Sequence, residues 1–425
     1  MRTIDKNKPC FIAIFFLISF LIMVCSFQYG IFFPPGNLHE KWSNYQSDSE
    51  RLVIGAIIND ALHLNNSSLN LFSISSENVK PENTPSYVYK EIIEQLKNKH
   101  TVVTQNQLEA KPYKSQFGLQ GLVFAKISPF LDYSLYKLHF LSSVLLAVCL
   151  ISLYCLYGRI LPHLSLFPYF CIFVSTISPW TSAIARNLYW VPFTWVLPSV
   201  IALLIYKVKH TFVAILLLVV LSTSVLIKSL CGYEFLSFVI LLSITPLVYI
   251  IFTQAEGRKR VIRLVAFIVL FELIGFVIAL CIHAECRSGS ILEGLKAIWE
   301  LDVKRRTFGE AELFNTVYSD SLNSSVFQVV WKYIGFGPYL FLIALSCLAM
   351  FLAYKKTHGL LLRNIFILTA LYLLPPLSWY VLAKAHSYIH THINFVLMDF
   401  GFVPCLLFCI CICIKIFWNW RKNEK

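Results

Sequence analysis

Apolar runs about 20 residues long recur along the whole chain, and they constrain its fold more than any other feature. A helix needs about 20 such residues to cross the hydrocarbon of a bilayer. With 57% hydrophobic residues and a mean hydropathy of +0.66 over 425 residues, the chain cannot be a soluble globule. The alternating segments of a transmembrane barrel are not evident. We predict an all-α polytopic membrane protein with a single membrane domain over residues 1–425.

The runs that reach the length of a membrane-crossing helix lie at residues 10–33, 139–157, 165–184, 188–206, 211–227, 235–252, 264–283, 334–353, 365–382 and 395–418. The first run follows basic residues, as the core of a signal peptide does. It is long and lacks a small-residue cleavage site, so we interpret it as a membrane anchor. The chain is therefore predicted to cross the bilayer about ten times.

Lysine and arginine residues cluster in every second connection between the runs. The clusters begin with Arg2, Lys6 and Lys8 and end with Arg421 and Lys422. Because such residues are enriched in cytoplasmic connections, both termini are predicted to be cytoplasmic. The net charge of +13 is thereby explained by topology, and nucleic-acid binding is not predicted.

The remaining connections fall on the opposite, outer face, where we place the function. Helices are predicted at 48–59 and 87–96, and irregular chain at 65–85. The long outer segments are a first outer loop with interfacial helices at 34–138, a second large outer loop at 284–333 and a histidine-rich connection at 383–394.

Two carboxylates follow the first run closely. Asp48 and Glu50 lie in the first outer loop. A carboxylate held at the membrane surface can take a proton from an acceptor hydroxyl as that hydroxyl attacks an activated sugar. The alternative is a solvated loop with ordinary acids. Their position beside the other charged outer turns favours the catalytic interpretation.

Basic residues on the outer side are natural partners of a phosphate or pyrophosphate, because guanidinium groups match phosphate oxygens and a lysine adds a point charge. Each could instead snorkel, pair with an acid or face solvent. Tyr233 and Glu234 lie in the same turn as one of them and join the predicted binding site. The basic candidates are Arg186, Lys228, Lys304, Arg305, Arg306 and Lys384.

Residues 113–121 precede the second run and combine glycines with amide groups. Gly118 and Gly121 allow close backbone approach, and Gln116 and Gln120 can hydrogen-bond sugar hydroxyls. No Gly-Lys-Ser/Thr follows, so this is not a phosphate-binding loop of the nucleotide type. An interfacial turn remains the alternative.

Residues 383–394 contain three of the eleven histidines of the chain. If this turn is helical, His386 and His390 share a face and His392 lies on another side. Such a pair can bind zinc, but the segment holds no acid or cysteine, so a divalent metal is not favoured and no cofactor is predicted. We expect these histidines and Asn394 to orient a sugar or phosphate by hydrogen bonds, with a purely structural role as the alternative.

Further side chains lie in or beside the spans without a catalytic role. The aromatic ones fit an interfacial belt. The acids either face the bundle interior or are neutral and hydrogen-bonded. These side chains are Trp190, Trp195, Trp331, Tyr388, Glu272 and Asp399.

This layout resembles the membrane glycosyltransferases of the GT-C superfamily, which have a cytoplasmic N-terminus, a long outer loop with acids after the first helix, and many further spans. Residues 47–52 are similar to the acidic motif of that superfamily, whose carboxylate is the catalytic base; the resemblance assigns this role to Asp48 or Glu50. The adjacent Asp-Glu pair of many members is interrupted here by Ser49. The resemblance also implies a polyprenyl-phosphate sugar donor.

We therefore expect a transferase that moves a sugar from polyprenyl phosphate to a lipid-linked glycan or surface polysaccharide. Its predicted location is the bacterial inner membrane, with the active site on the periplasmic face. An O-antigen or capsule polymerase is the first alternative. A transporter or flippase without chemistry is the second, for which the acids at 272 and 399 within the spans would be the best support.

Overall fold

A computed structural model describes residues 8–33, 35–76, 86–98, 108–355 and 359–423. The predicted basic residues Arg2 and Lys6, and positions 77–85 of the predicted irregular stretch, lie outside the described residues. The N-terminal elements are α1 (Lys8–Tyr29), α2 (Asn37–Ser43), α3 (Ser47–Leu62), β1 (Phe72–Ser76), α4 (Ser86–Lys97), β2 (Leu108–Pro112) and α5 (Leu119–Ile127).

The central elements are α6 (Leu135–Ile160), α7 (Phe167–Ile177), α8 (Pro179–Ala185), α9 (Phe193–Lys207), α10 (Thr211–Cys231), α11 (Leu236–Thr253) and α12 (Arg258–Ser288). The C-terminal elements are α13 (Ile291–Ile298), α14 (Lys304–Arg306), α15 (Ser319–Asn323), α16 (Val326–Ile334), α17 (Gly337–Tyr354), α18 (Leu360–Leu382), α19 (Lys384–Ile389), α20 (Thr391–Asn394), α21 (Val396–Asp399) and α22 (Phe402–Asn423). A π-helical turn, Trp299–Val303, leads into α14.

Within the described ranges, eight helices are long and apolar enough to cross a membrane, which confirms an all-α polytopic membrane protein. These helices are α1, α6, α10, α11, α12, α17, α18 and α22. The predicted spans at 165–184 and 188–206 coincide with shorter helices, namely α7 with α8, and α9. By length and composition, the described helices therefore support eight spans rather than the predicted ten.

Two predicted spans are interrupted inside the helix bundle. α7 ends before Ser178, whose backbone is extended because a residue that precedes proline is disfavoured in helical conformation. The predicted span 395–418 is divided between α21 and α22 at Gly401, where a Cβ would collide with an aromatic ring of α18. The Asp399 carboxylate, at the end of α21, accepts hydrogen bonds from Ser178 and Thr181. The two interrupted spans are therefore hydrogen-bonded to each other near their breaks.

The first connecting segment, residues 37–131 between α1 and α6, contains folded structure. The helices predicted at 48–59 and 87–96 are present as α3 and α4. The prediction of irregular chain at 65–85 is wrong for residues 72–76, because they form β1, which pairs antiparallel with β2. Strand β1 forms because Phe72 and Ile74 lie on one face of it and are buried.

The second connecting segment, residues 289–336 between α12 and α17, consists of short helices and turns. In the bundle, α10 packs along α12, α11 against α18, and α17 against α22. This arrangement brings both connecting segments, the α8–α9 turn, the α10–α11 turn and α19 to one common cavity.

Candidate functional site

A cavity of about 320 Å³ lies where these segments meet. Its walls carry carboxylates, guanidinium groups and imidazoles, together with aromatic rings. The titratable residues that line it are Asp48, Glu234, Arg305, Arg306, His386 and His390, and the lining aromatic residues are Tyr113, Tyr189, Trp190 and Tyr318. The structure thus gathers residues from all the segments that were predicted to be outer and to carry a site.

The two predicted catalytic carboxylates have different surroundings. Asp48, in the first turn of α3, is exposed to the cavity, and in the described part of the chain its carboxylate has no hydrogen-bond or ion-pair partner. Glu50 lies 3.0 Å from Nε2 of His139 and accepts the N–H of Leu188 at 2.9 Å. Burial raises the pKa of Glu50, but these two contacts and the charge of Arg186 lower it, leaving it below its ordinary value. Glu50 joins α3 to α6 and to the turn before α9, and it does not line the cavity.

Glu234 is held at the back of the cavity. Both carboxylate oxygens accept from Nε2 of Gln116, at 2.8 and 2.9 Å, and Oε1 lies 3.3 Å from Nη1 of Arg306. The same Gln116 amide donates to the Tyr189 hydroxyl at 2.7 Å. Gly232 makes this approach possible, because a Cβ there would lie 2.5 Å from Glu234 Oε2. The predicted sugar-binding amide of Gln116 is therefore engaged with a protein carboxylate.

Two neighbouring guanidinium groups face the cavity from α14. Burial lowers the pKa of Arg306, but Glu234 and the other acidic groups around it together raise it above its ordinary value, so Arg306 is firmly ionised. Arg305 lies 3.4 Å from Asp302 and has its guanidinium 5.4 Å from the centre of the Tyr318 ring. Burial raises the pKa of Asp302, yet hydrogen bonds and nearby arginines lower it below its ordinary value. The carboxylates hold the arginines in position and offset part of their charge.

The histidine pair lies on one face of the cavity wall, as the four-residue spacing predicts. The ring centres of His386 and His390 are 4.5 Å apart, whereas Nε2 of His392 lies 2.9 Å from the amide of Gln46. Burial lowers the pKa of His386 well below its ordinary value and that of His390 to about 4, with neighbouring positive groups acting in the same direction. Both rings are therefore neutral at pH 7. Nδ1 of His386 and Nε1 of Trp190 are buried and have no hydrogen-bond partner among the described residues.

The other predicted binding residues bind protein groups beside the cavity and do not line it. Arg186 lies over the Trp42 ring and donates to the Ser43 carbonyl. Lys228 is buried and donates to the Gly232 carbonyl. The remaining contacts are Lys384 to the Leu322 carbonyl, Gln120 to the carbonyls of Tyr189 and Cys231, Tyr233 to His283, and Asn394 to the Tyr333 hydroxyl.

Two further sequence interpretations are changed by the structure. The close backbone approach predicted at Gly121 is directed at the protein itself, since a Cβ would lie 1.9 Å from the Asn70 carbonyl oxygen. Trp190 and Trp195 are buried, at 7% and 1% exposure, and so do not belong to an interfacial belt. Trp190 lines the cavity instead.

An apolar groove of about 560 Å³ opens beside the polar cavity. Its walls come from α11, α12, α13 and α18, and include Phe276, Leu280, Leu295 and Leu382. Arg306 lines both the groove and the polar cavity. The sequence did not indicate this groove, because its residues belong to apolar stretches interpreted only as spans or loop.

In the described part of the chain, no three His, Cys, Asp or Glu side chains are grouped so that they could hold a metal ion. Comparisons with known protein families, with curated proteins and with solved structures give no match to this chain.

Proposed function

We propose that this protein is a membrane glycosyltransferase that moves a sugar from a polyprenyl-phosphate donor to a lipid-linked glycan or surface polysaccharide. The observation that carries the proposal is the position of Arg306 between a polar cavity and an apolar groove. A lipid-phosphate donor needs this combination: a polar space for its sugar, a cation for its phosphate and an apolar surface for its chain. On this proposal the cavity faces the periplasm from a bacterial inner membrane.

In the proposed reaction, Asp48 takes the proton of an acceptor hydroxyl, and that oxygen forms a bond to the anomeric carbon of the donor sugar. The bond between that carbon and the phosphate oxygen breaks, and polyprenyl phosphate leaves with the bonding electron pair. Arg306 and Arg305 offset the charge that develops on the phosphate. The neutral rings of His386 and His390 can each donate and accept a hydrogen bond and would orient the sugar hydroxyls.

Asp48 is favoured over Glu50 as the base because of their different contacts. A base needs a carboxylate that can reach the substrate, and Asp48 is exposed on the cavity wall. Glu50 is held by His139 and the Leu188 N–H outside that cavity. The sequence left Asp48 and Glu50 as alternatives for the base, and the proposal assigns this role to Asp48.

A polymerase that joins whole repeat units would use the same polar cavity and apolar groove. A flippase is the alternative without chemistry, and the fully buried Glu272 of α12 is its best support. Mass analysis of lipid-linked glycans in a deletion strain, together with a membrane-impermeant label for glycans on the outer leaflet, distinguishes the three. Loss of one sugar or linkage indicates a transferase, single repeat units without longer chains indicate a polymerase, and a complete glycan retained on the inner leaflet indicates a flippase.

The catalytic assignment is tested by complementing the deletion strain with Asp48→Asn. We expect the transfer rate to fall about 10²–10⁴-fold, the usual contribution of a general base, with unchanged folding. The matched control is Asp60→Asn on the same helix, because Asp60 pairs with Lys126 at 2.6 Å and does not line the cavity. Full activity of Asp48→Asn would refute Asp48 as the base.

A further inference from the structure

The second connecting segment leaves an unusual number of large apolar side chains uncovered. Monomeric soluble surfaces rarely expose contiguous apolar areas of this kind, so the segment needs a partner. The exposed large apolar residues between 291 and 331 are Ile291, Leu292, Trp299, Leu301, Phe308, Leu313, Val317, Val326, Phe327 and Trp331.

Helix α16 has two apolar faces, of which the described residues cover one. Val329 and Tyr333 are fully buried, and the Tyr333 hydroxyl donates to the Ser387 carbonyl at 2.6 Å. On the opposite side, Phe327 is 74% exposed and Trp331 is 53% exposed, and their rings stack at 6.2 Å. This spacing of four residues forms an apolar stripe directed away from the protein.

Helix α13 repeats this arrangement. Gly294 and Ile298 are buried against the protein. The same helix leaves Leu292 78% exposed, and Trp299, at the start of the π-helical turn, is 47% exposed. The two helices stand near the two ends of the segment, so its uncovered apolar surface is not confined to one place.

We propose that the second connecting segment lies in the bilayer interface, with the exposed side chains of α13 and α16 inserted among lipid chains. Both ends of the segment continue directly into α12 and α17, two helices able to cross a membrane, and this fixes the segment beside the lipid surface. Tryptophan is the residue type enriched at that depth.

Apolar insertion, rather than charge, accounts for this contact. Residues 291–334 contain five Lys or Arg (296, 304, 305, 306 and 332) and six Asp or Glu (293, 300, 302, 310, 312 and 320), which leaves a net charge of −1. A segment attracted by anionic headgroups would carry a clear positive excess. The contact should therefore be insensitive to salt and should form on zwitterionic lipid.

The test uses the full chain in nanodiscs of zwitterionic lipid, one protein per disc, with bromine atoms on the lipid chains as short-range quenchers. Trp299→Phe and Trp331→Phe identify the emission of each tryptophan by difference. We expect bromolipid to quench both contributions, equally in low and high salt. The matched control, Trp195→Phe, removes a tryptophan that is 1% exposed, and its contribution should be unquenched.

Other outcomes would overturn the proposal. If aqueous iodide quenches both tryptophans and bromolipid does not, the segment stands in water. If neither agent quenches them at one protein per disc, another part of the chain covers them; quenching by bromolipid that disappears in high salt would indicate electrostatic attachment. Trp299 also lines the apolar groove, whereas Trp331 does not, so quenching of Trp331 tests this proposal separately from the proposed function.

Discussion

The polar cavity and the apolar groove meet at Arg306 but are built in different ways. The cavity is lined by seven separate stretches of sequence, from Gln46 to His390. The groove is lined by four stretches, three of which lie in α11, α12 and the segment that follows α12. The reactive side chains are thus brought together by long-range folding, whereas the apolar surface comes largely from consecutive elements.

The difference divides the proposed reaction into two parts. On the proposed function, the described groups that act on the sugar line the cavity, and those that hold the donor's lipid chain line the groove. Because Arg306 lines both the cavity and the groove, its substitution should affect both parts of the proposed reaction. Variants in the cavity, in the groove and at Arg306 therefore test whether the two parts act separately.

Apart from Asp48→Asn, the largest effect is expected for Arg306→Gln. Loss of a group that stabilises developing charge costs about 10²–10³-fold in rate, so transfer should fall by that amount in an assay with purified protein and lipid donor. Lys304→Gln is the neighbouring control, because Lys304 pairs with Glu300 at 2.6 Å and lines neither cavity. Normal transfer by Arg306→Gln would remove the observation on which the proposed function rests.

Arg306→Gln also leaves Glu234 without its ion-pair partner, which can destabilise the protein. The double variant Arg306→Gln with Glu234→Gln removes that buried charge. Its thermal midpoint should recover towards wild type while transfer stays low. Recovery of transfer together with stability would show that Arg306 acts only through folding.

A smaller effect, on stability rather than rate, is expected for Glu50→Gln. Weakening its contacts to His139 and Leu188 should cost about 1–3 kcal/mol of unfolding free energy, with little change in transfer by the correctly folded fraction. Because folding lowers the pKa of Glu50 below 4.5, its contribution is present above pH 4.5 and is lost as pH falls through the folded-state pKa. The stability difference from wild type should therefore shrink in acid.

The exposed Glu109→Gln serves as the control for Glu50→Gln, since the Glu109 side chain is 66% exposed and pairs with Lys111 at the surface. Thermal unfolding in detergent at several pH values checks both variants. Abolished transfer with unchanged stability would instead return Glu50 to a catalytic role.

The contrast between Asp48 and Glu50 shows how far sequence reasoning could reach. The acidic pair and the helix around it were predictable, and so were the long spans. Residues two apart on a helix point about 200° from each other, so once α3 begins at Ser47 the two carboxylates cannot share a wall. The helix predicted at 48–59 already contains both residues, so this separation followed from the sequence, whereas the carboxylate that faces the cavity is determined by long-range packing. The engagement of Gln116 with Glu234 was beyond prediction because it depends on contacts across 118 positions.

A still smaller effect, about tenfold, is expected when the groove is filled. Leu295→Trp adds volume to the groove wall and should raise the KM for the lipid donor about tenfold with little change in kcat, because it weakens ground-state and transition-state binding alike. Leu292→Trp is the control: it lies one turn away on α13, is 78% exposed and does not line the groove. If both variants had the same KM for the donor, the groove would not be the surface that binds it.

The smallest effect concerns His390. Folding lowers its pKa from 6.5 to about 4, so its neutral form stabilises the protein above pH 6.5, and this contribution is lost as pH falls towards 4. Allowing for its partial exposure, the change should be about 1 kcal/mol. His390→Asn should flatten the fall in thermal midpoint between pH 6.5 and 4, whereas the exposed His63→Asn should not. An unaltered pH profile in His390→Asn would mean that the imidazole titrates as it does in water, and the polar cavity would then be more open to solvent than its wall of aromatic rings implies.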